Sequence, residues 1–291
     1  MSTHTSFKHI ALISKPDATP QLMDTLASAL RFLEKRGAAV SLSENSAKLL
    51  GQPDGFPVAS LGERCDLAIV IGGDGTLLHS ARELVDSGIP LLGINLGRLG
   101  FLVDISPDLM CDMLESVFNG DYEQEERMLL RCSIEGQEDQ LALNDVVLHK
   151  WNIARMIEYE TWVNKGFLGR QRSDGLIVST PTGSTAYALS GGGPLLSPGL
   201  DALALVPICP HTLSNRPIVV SGSSRITIQV SGRTEPEHVR VTCDGQASLE
   251  APPGVDIVVR RHDTALRMLH PAGHDHYQIL RTKLGWGESP P

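Results

Sequence analysis

Cys65-Asp66-Leu67-Ala68-Ile69-Val70-Ile71-Gly72-Gly73-Asp74-Gly75-Thr76-Leu77-Leu78-His79-Ser80-Ala81-Arg82-Glu83-Leu84-Val85 is the stretch on which the reading of the chain turns. Its opening is a short apolar run, the pattern of a strand buried on both faces. Its close sets Leu77, Leu78, Ala81, Leu84 and Val85 at helical spacing. The glycines between them therefore form a strand-to-helix turn. Gly72, Gly73 and Gly75 can take positive φ and let a ligand approach the backbone. The N–H groups at the helix start favour an anion such as phosphate. What distinguishes this turn is the Asp74 carboxylate. Facing a phosphate, it is repulsive unless it binds a metal, holds a hydroxyl or takes a proton.

Outward from that turn the same alternation continues. Residues 8–14 read as a first parallel strand. Pro20 opens a helix with Leu22, Leu26, Leu30 and Leu33 on one face, and Gly37 ends it. Residues 38–42 form a second short strand and residues 89–95 another. Ser106-Pro107-Asp108 has the cap, proline and early acid of a helix N-terminus. Helices alternating with buried strands predict a doubly wound α/β domain over residues 1–123, with ligands at the carboxyl ends of the strands, at Gly72–Gly75 and Asn95–Gly100. From about residue 124 the pattern changes to short β-rich runs: 128–134, 141–149, 156–163, 176–179, 225–230, 239–243 and 257–261. One helical signal, Ser184–Ser190, interrupts them. These runs predict a mostly β domain over 124–270. The tail, 271–291, has too little apolar material to stand alone and is expected to pack on an earlier domain.

Composition sets the bounds. The chain has 291 residues, 41% hydrophobic and 20% charged, as in an ordinary globular protein. No apolar run reaches the roughly 18 residues that span a bilayer, and the N-terminus lacks the apolar core of a signal peptide. The net charge of −9 argues against nucleic-acid and anionic-membrane partners. Cys65, Cys111, Cys132, Cys209 and Cys243 are scattered without C-x-x-C, and read as reduced core residues of a cytoplasmic protein. His270, His274 and His276 have a suggestive spacing but no carboxylate partner in view, so metal binding is not expected there.

Four polar clusters interrupt the β-rich half. Asn144-Asp145 lies inside an apolar run and could bond a base edge or ribose hydroxyls, or could equally be a strand-edge turn. Arg170–Gly175 carries Arg172, a local positive charge or a solvated one. Thr180–Tyr187 is a Thr/Gly/Ser loop opening a short helix, with the Tyr187 ring as a face for a heterocycle. The Gly191-Gly192-Gly193 run after it offers little to pack. Cys243-Asp244-Gly245-Gln246 is a turn that a plain hairpin would also explain.

GGDGT at Gly72–Thr76, Leu143-Asn144-Asp145, the run from Asp174 to Tyr187 (DGLIVSTPTGSTAY), Pro210–Pro217 and Asp244-Gly245-Gln246 together resemble the bacterial NAD kinases. They stand in that family's order over about residues 65–250, and Lys283-Leu284-Gly285-Trp286 is similar to its tail. The resemblance implies a phosphofructokinase-like α/β domain and phosphoryl transfer to the 2′-hydroxyl of the adenosine ribose of NAD, giving NADP. It implies Asp74 as proton acceptor; from the residues themselves, the backbone N–H groups of Gly72, Gly73 and Gly75 together with Mg²⁺ are the expected site for the ATP phosphates. NAD would contact Asp74, Gly75, His79, Asn144, Asp145, Arg155, Arg172, Asp174, Thr185, Ala186, Tyr187, Ala188, Leu189, Ser190 and Gln246. It further implies NAD and ATP as the small-molecule partners, a divalent cation such as Mg²⁺ whose protein ligands are unknown, a cytoplasmic location and a homodimer or homotetramer. Lys150-Trp151-Asn152 departs from the Pro-Gly turn common in relatives. The donor stays open among ATP, other nucleoside triphosphates and polyphosphate. Two alternatives remain: a GGDGT-type lipid kinase and a noncatalytic NAD(P)-binding regulator.

Overall fold

A computed structural model describes residues 7–97, 100–103, 105–212, 214–232 and 235–286. Arg98 and Leu99 of the Asn95–Gly100 turn, Leu213 of the Pro210–Pro217 stretch, and most of the N-terminal eight residues lie outside them. The chain runs β1 (His9–Ser14), α1 (Pro20–Lys35), β2 (Ala39–Leu42), α2 (Glu44–Leu50), α3 (Val58–Leu61), β3 (Leu67–Gly72), α4 (Asp74–Leu84), β4 (Leu91–Asn95), α5 (Met110–Phe118) and β5 (Tyr122–Arg127). It continues through β6 (Leu130–Ile134), β7 (Gln140–Ala142), β8 (Asp145–Lys150), β9 (Ile157–Val163), β10 (Gly166–Ser173), β11 (Gly175–Ser179), α6 (Tyr187–Ser190), β12 (Ala202–Ile208) and β13 (Ile218–Ser221). β14 (Ile226–Val230), β15 (Val239–Cys243), β16 (Ala247–Glu250), β17 (Asp256–Arg261), β18 (Leu266–Pro271) and α7 (His276–Leu284) complete it. Contacts divide it into two compact units, residues up to Glu126 together with Leu266 onward, and Arg127–Ala265.

In the first unit one sheet has the order β2-β1-β3-β4-β18-β5, with parallel pairing from β2 through β18. Ile69 and Ile71 join a core with the α1 leucines Leu22, Leu26 and Leu33 and with Leu114 of α5. On the opposite face of the sheet Leu77 of α4 lies against Gly93 of β4. Helices on both faces explain why β3 is apolar at every position. The Thr19 hydroxyl accepts the Leu22 N–H to cap α1, and Gly37 leaves the helix at φ 74°. β5 and β18 belong to this sheet, whereas the sequence places 124–270 together in the β-rich half. Among the described residues no helix is long and apolar enough to cross a membrane.

The second unit is a sandwich of two antiparallel sheets, β10-β9-β14-β17-β6-β7 and β13-β12-β11-β8-β15-β16. The run 141–149, expected as one strand, is two. β7 lies in one sheet and β8 in the other, and Leu143-Asn144 is where the chain crosses. Val146, Leu148, Leu176, Val178, Leu203 and Leu205 face the core between the sheets. Val147, Ile177, Ala204 and Val206 alternate to the outer face and pack with Ala188 and Leu196. The glycine run, expected to pack poorly, does pack: Cβ atoms at Gly191 or Gly193 would strike Val206, so the backbone itself covers that residue. Cys65, Cys132 and Cys243 are buried as expected, but Cys111 and Cys209 are exposed.

Gly183 lies with its Cα against the backbone of Asn144, which cannot move aside. Gly183→Ala should therefore destabilise the protein by about 1–3 kcal/mol through overpacking. Gly199→Ala, with open space around it, should stay within about 0.5 kcal/mol of wild type. Denaturant unfolding of both variants checks this, and equal stabilities would mean the loop shifts freely over Asn144.

Candidate active site

β3 delivers Gly72 to the start of α4, where Gly73 is the N-cap and Asp74 the first helical residue. None of Gly72, Gly73 and Gly75 has positive φ, contrary to expectation. Gly72 is needed because the Thr76 side chain folds over it, leaving no room for a Cβ. The Asp74 carboxylate faces the loop after β4. Its Oδ2 accepts the Phe101 N–H at 3.0 Å and its Oδ1 the Leu102 N–H at 3.2 Å. Gly100 lies so close to this carboxylate that a Cβ there would fall on it. The helix N-terminus and the two amides present positive partial charge to the carboxylate oxygens, and each oxygen retains a second acceptor site. His79 is exposed one turn further along α4.

In the second unit a cavity of about 600 Å³ is walled by Asn144, Asp145, Lys150, Asp174, Tyr187 and Asp244, with His149, Thr242 and the apolar Val147 and Ile208. Asp244, at φ 52° in the β15–β16 turn, accepts N–H groups of Leu143 (3.0 Å), Asn144 (2.8 Å) and Asp145 (3.3 Å). From the other side Thr180 donates its hydroxyl to the Leu143 carbonyl at 2.6 Å and its N–H to the Asn144 carbonyl at 2.9 Å. The sheet crossing is thus clamped twice. Asp145 is only 5% exposed; burial, and then the negative charge of Asp244, raise its carboxyl from 3.8 to about 7. Lys150 Nζ pairs with Asp174 Oδ1 at 2.8 Å. Tyr187 leaves its ring half exposed.

Of the residues named from sequence, this cavity gathers Asn144, Asp145, Asp174, Ala186 and Tyr187. Thr185, Leu189 and Ser190 are not among its lining, and Ala188 is wholly buried in the outer-face core. Arg155, Arg172 and Gln246 are exposed and not among its lining. The expected helix over Ser184–Ser190 is a 3₁₀ turn, Thr182–Thr185, and a single α turn broken at Ala186, too short for an N-terminal anion site. Sequence reasoning passed over Lys150, His149, Thr242 and the carboxylate of Asp244. The Lys150-Trp151-Asn152 departure and the Asp244-Gly245-Gln246 motif were the available signals.

A family profile described as the ATP-NAD kinase N-terminal domain matches residues 10–122, and one described as the ATP-NAD kinase C-terminal domain matches residues 143–270. The chain is 48% identical over 287 residues to the NAD kinase of Chromohalobacter salexigens, covering 96% of this chain and 97% of that one. It is 48% identical over 289 residues to the NAD kinase of Nitrosococcus oceani, covering 97% of each. The NAD kinase from Archaeoglobus fulgidus, solved in complex with ATP, has a TM-score of 0.77 at 27% identity over 95% of this chain and 98% of its own. Yeast NADH kinase complexed with NADH has a TM-score of 0.91 at 24% identity over 98% of this chain and 89% of its own, a likeness of fold.

The Asp145 environment has a consequence for stability. Folded Asp145 holds its proton up to about 7, whereas the unfolded residue releases it near 3.8. Between those values the folded chain binds more protons, so this residue's contribution to stability falls as pH rises and levels off above about 7. At about 1.4 kcal/mol per tenfold in proton affinity, the full loss is bounded at roughly 4 kcal/mol. Asp145→Asn cannot ionise. Its melting temperature relative to wild type should rise from pH 4 to pH 7 and then stay level, and a pH-independent difference would show Asp145 charged throughout.

Proposed function

The chain belongs to the ATP-NAD kinase family, and from that premise we propose how its residues carry the reaction. It phosphorylates NAD with ATP as donor; neither the lipid-kinase reading nor the noncatalytic one is supported. The acceptor in our reading is the 2′-hydroxyl of the adenosine ribose. Its oxygen attacks the γ-phosphorus of ATP, its proton passes to a carboxylate oxygen of Asp74, and ADP leaves. Phosphoryl transfer asks for positioning and charge neutralisation more than covalent chemistry.

The observation that carries this reading is the Asp74 carboxylate, held by the Phe101 and Leu102 amides with acceptor capacity to spare. Gly72, Gly73 and Gly75 stand at the start of α4, where backbone N–H groups and the helix dipole suit the ATP phosphates. Asn144, Asp145, Asp174 and Tyr187 line the cavity we assign to NAD, with Thr185, Ala186, Ala188, Leu189 and Ser190 assigned to the same substrate. His79, Arg155, Arg172 and Gln246 are further contacts in this proposal. A divalent cation of the magnesium class fits the hard oxygen donors of Asp74 and the phosphates, and when bound it neutralises phosphate charge. We further propose a cytoplasmic enzyme that acts as a homodimer or homotetramer.

Purified protein with Mg²⁺ and ATP should convert NAD to NADP, and a donor panel with polyphosphate would rank the alternatives. Asp74→Asn should lower kcat by about 10²–10⁴ with little change in NAD affinity. Asparagine can accept from only one of the two amides, so hydrogen exchange at Phe101 or Leu102 should quicken in the same variant. A loss restored by Mn²⁺ would make Asp74 a metal ligand, and wild-type turnover would overturn its role altogether. At the NAD cavity, Asp145→Asn keeps a neutral donor and acceptor, whereas Asp145→Ala should lose about 1–3 kcal/mol of NAD binding. Equal losses in calorimetry would mean that the charge of Asp145 matters instead.

A further inference from the structure

His270 and His274 were set aside in sequence for want of a carboxylate, and the fold brings one from far along the chain. Glu125 stands on β5, the neighbour of β18 in the first sheet, and His270 is the next-to-last residue of β18. His270 is buried, with Nε2 3.5 Å from Glu125 Oε2. His274 lies in the turn that follows and stacks its ring on that of His270, centroids 3.8 Å apart and planes 23° from parallel; stacked rings aim their nitrogens side by side, so holding one ion requires the His274 ring to turn out of the stack. One ligand-capable atom from each of the three residues falls within 4.8 Å of the others. We propose that Glu125, His270 and His274 form a binding site for a divalent transition metal of the zinc class.

The donor set points to that class. Two imidazoles and one carboxylate suit zinc, cobalt or nickel, whereas magnesium prefers an octahedron of oxygens. This site is therefore chemically separate from the cation that accompanies ATP phosphates. Bonds of about 2.0–2.1 Å in a tetrahedron put neighbouring ligand atoms roughly 3.3 Å apart, close to the spacing of His270 and Glu125. The same spacing is long for an N–H···O hydrogen bond. The turn bearing His274 is fastened on both sides: Gly273, at φ 83°, donates its N–H to Glu123 Oε1 at 3.0 Å. Asp275 accepts the Tyr277 N–H at 2.8 Å and Arg281 at 3.2 Å. His274 also borders a cavity of about 340 Å³ with Ser106 and Met113, so its ring has room to move. Occupied, the site would tie β5 and β18 to the turn before α7, acting as a structural clamp on the first unit.

Zinc binding to the full chain, measured by competition with a chromogenic chelator, should show one tight site. Glu125→Gln and His274→Ala should each weaken it by about 100-fold or more, beyond the 10–100-fold typical of residues that only support a ligand. Without metal, both variants should melt near wild type, and zinc should raise the melting temperature of wild type alone. His238→Ala, which disrupts the exposed cluster of Glu235, Glu237 and His238, should change nothing. X-ray absorption of the zinc-loaded wild type should count two imidazoles. Absence of tight zinc binding, binding that survives both variants, binding lost in His238→Ala, or fewer than two imidazoles would each overturn the proposal.

Discussion

The cavity wall of the second unit rests on one carboxylate, that of Asp244. Where the chain crosses from one sheet of the sandwich to the other, the amides of Leu143, Asn144 and Asp145 leave the β7 ladder before they enter the β8 ladder. Asp244 accepts all three. Bonds to a charged acceptor contribute about 1.5–3 kcal/mol each, enough to hold Asp244 at φ 52°, a conformation that aspartate tolerates better than most residues. The arrangement fixes more than backbone. It brings the Asp244 charge beside Asp145, and that charge adds to burial in keeping Asp145 protonated near neutrality.

The first unit repeats the device with a different outcome. Asp74 also accepts amides from a distant loop, yet it is partly exposed at a helix start rather than buried beside another acid. Burial and the neighbouring acid hold Asp145 close to neutral, able to donate as well as accept.

Much of this was legible from sequence where local pattern decides structure. The β3–α4 turn, the capped α1 and the run of short β strands follow from periodicity and from Gly and Pro placement. What local pattern could not show depends on long-range partners. The split of 141–149 arises because its two halves join different sheets. The glycines at 72, 100, 183, 191 and 193 serve close approach of other groups, not positive φ, and the atoms they admit lie up to 39 positions away, as with Asn144 and Gly183. Lys150 was read as an irregularity of its loop, yet it is the cation that pairs with Asp174 in the cavity wall. Glu125 meets His270 only because β5 and β18 are neighbours in the first sheet.

The charge of the cavity wall limits what it can recognise. Asp174 and Asp244 face it with Asp145, and Lys150 is already paired with Asp174. With Asp145 protonated, the Asp244 carboxylate still faces the cavity, engaged by the amides of Leu143, Asn144 and Asp145. A wall of acceptor oxygens suits groups that donate hydrogen bonds, such as hydroxyls, an amine or a carboxamide. It also sets a limit on pH, because ionisation of Asp145 adds a second negative charge and removes a donor. The same burial and the same neighbour that raise the Asp145 carboxyl to about 7 therefore decide whether this part of the wall donates a hydrogen bond or only accepts one.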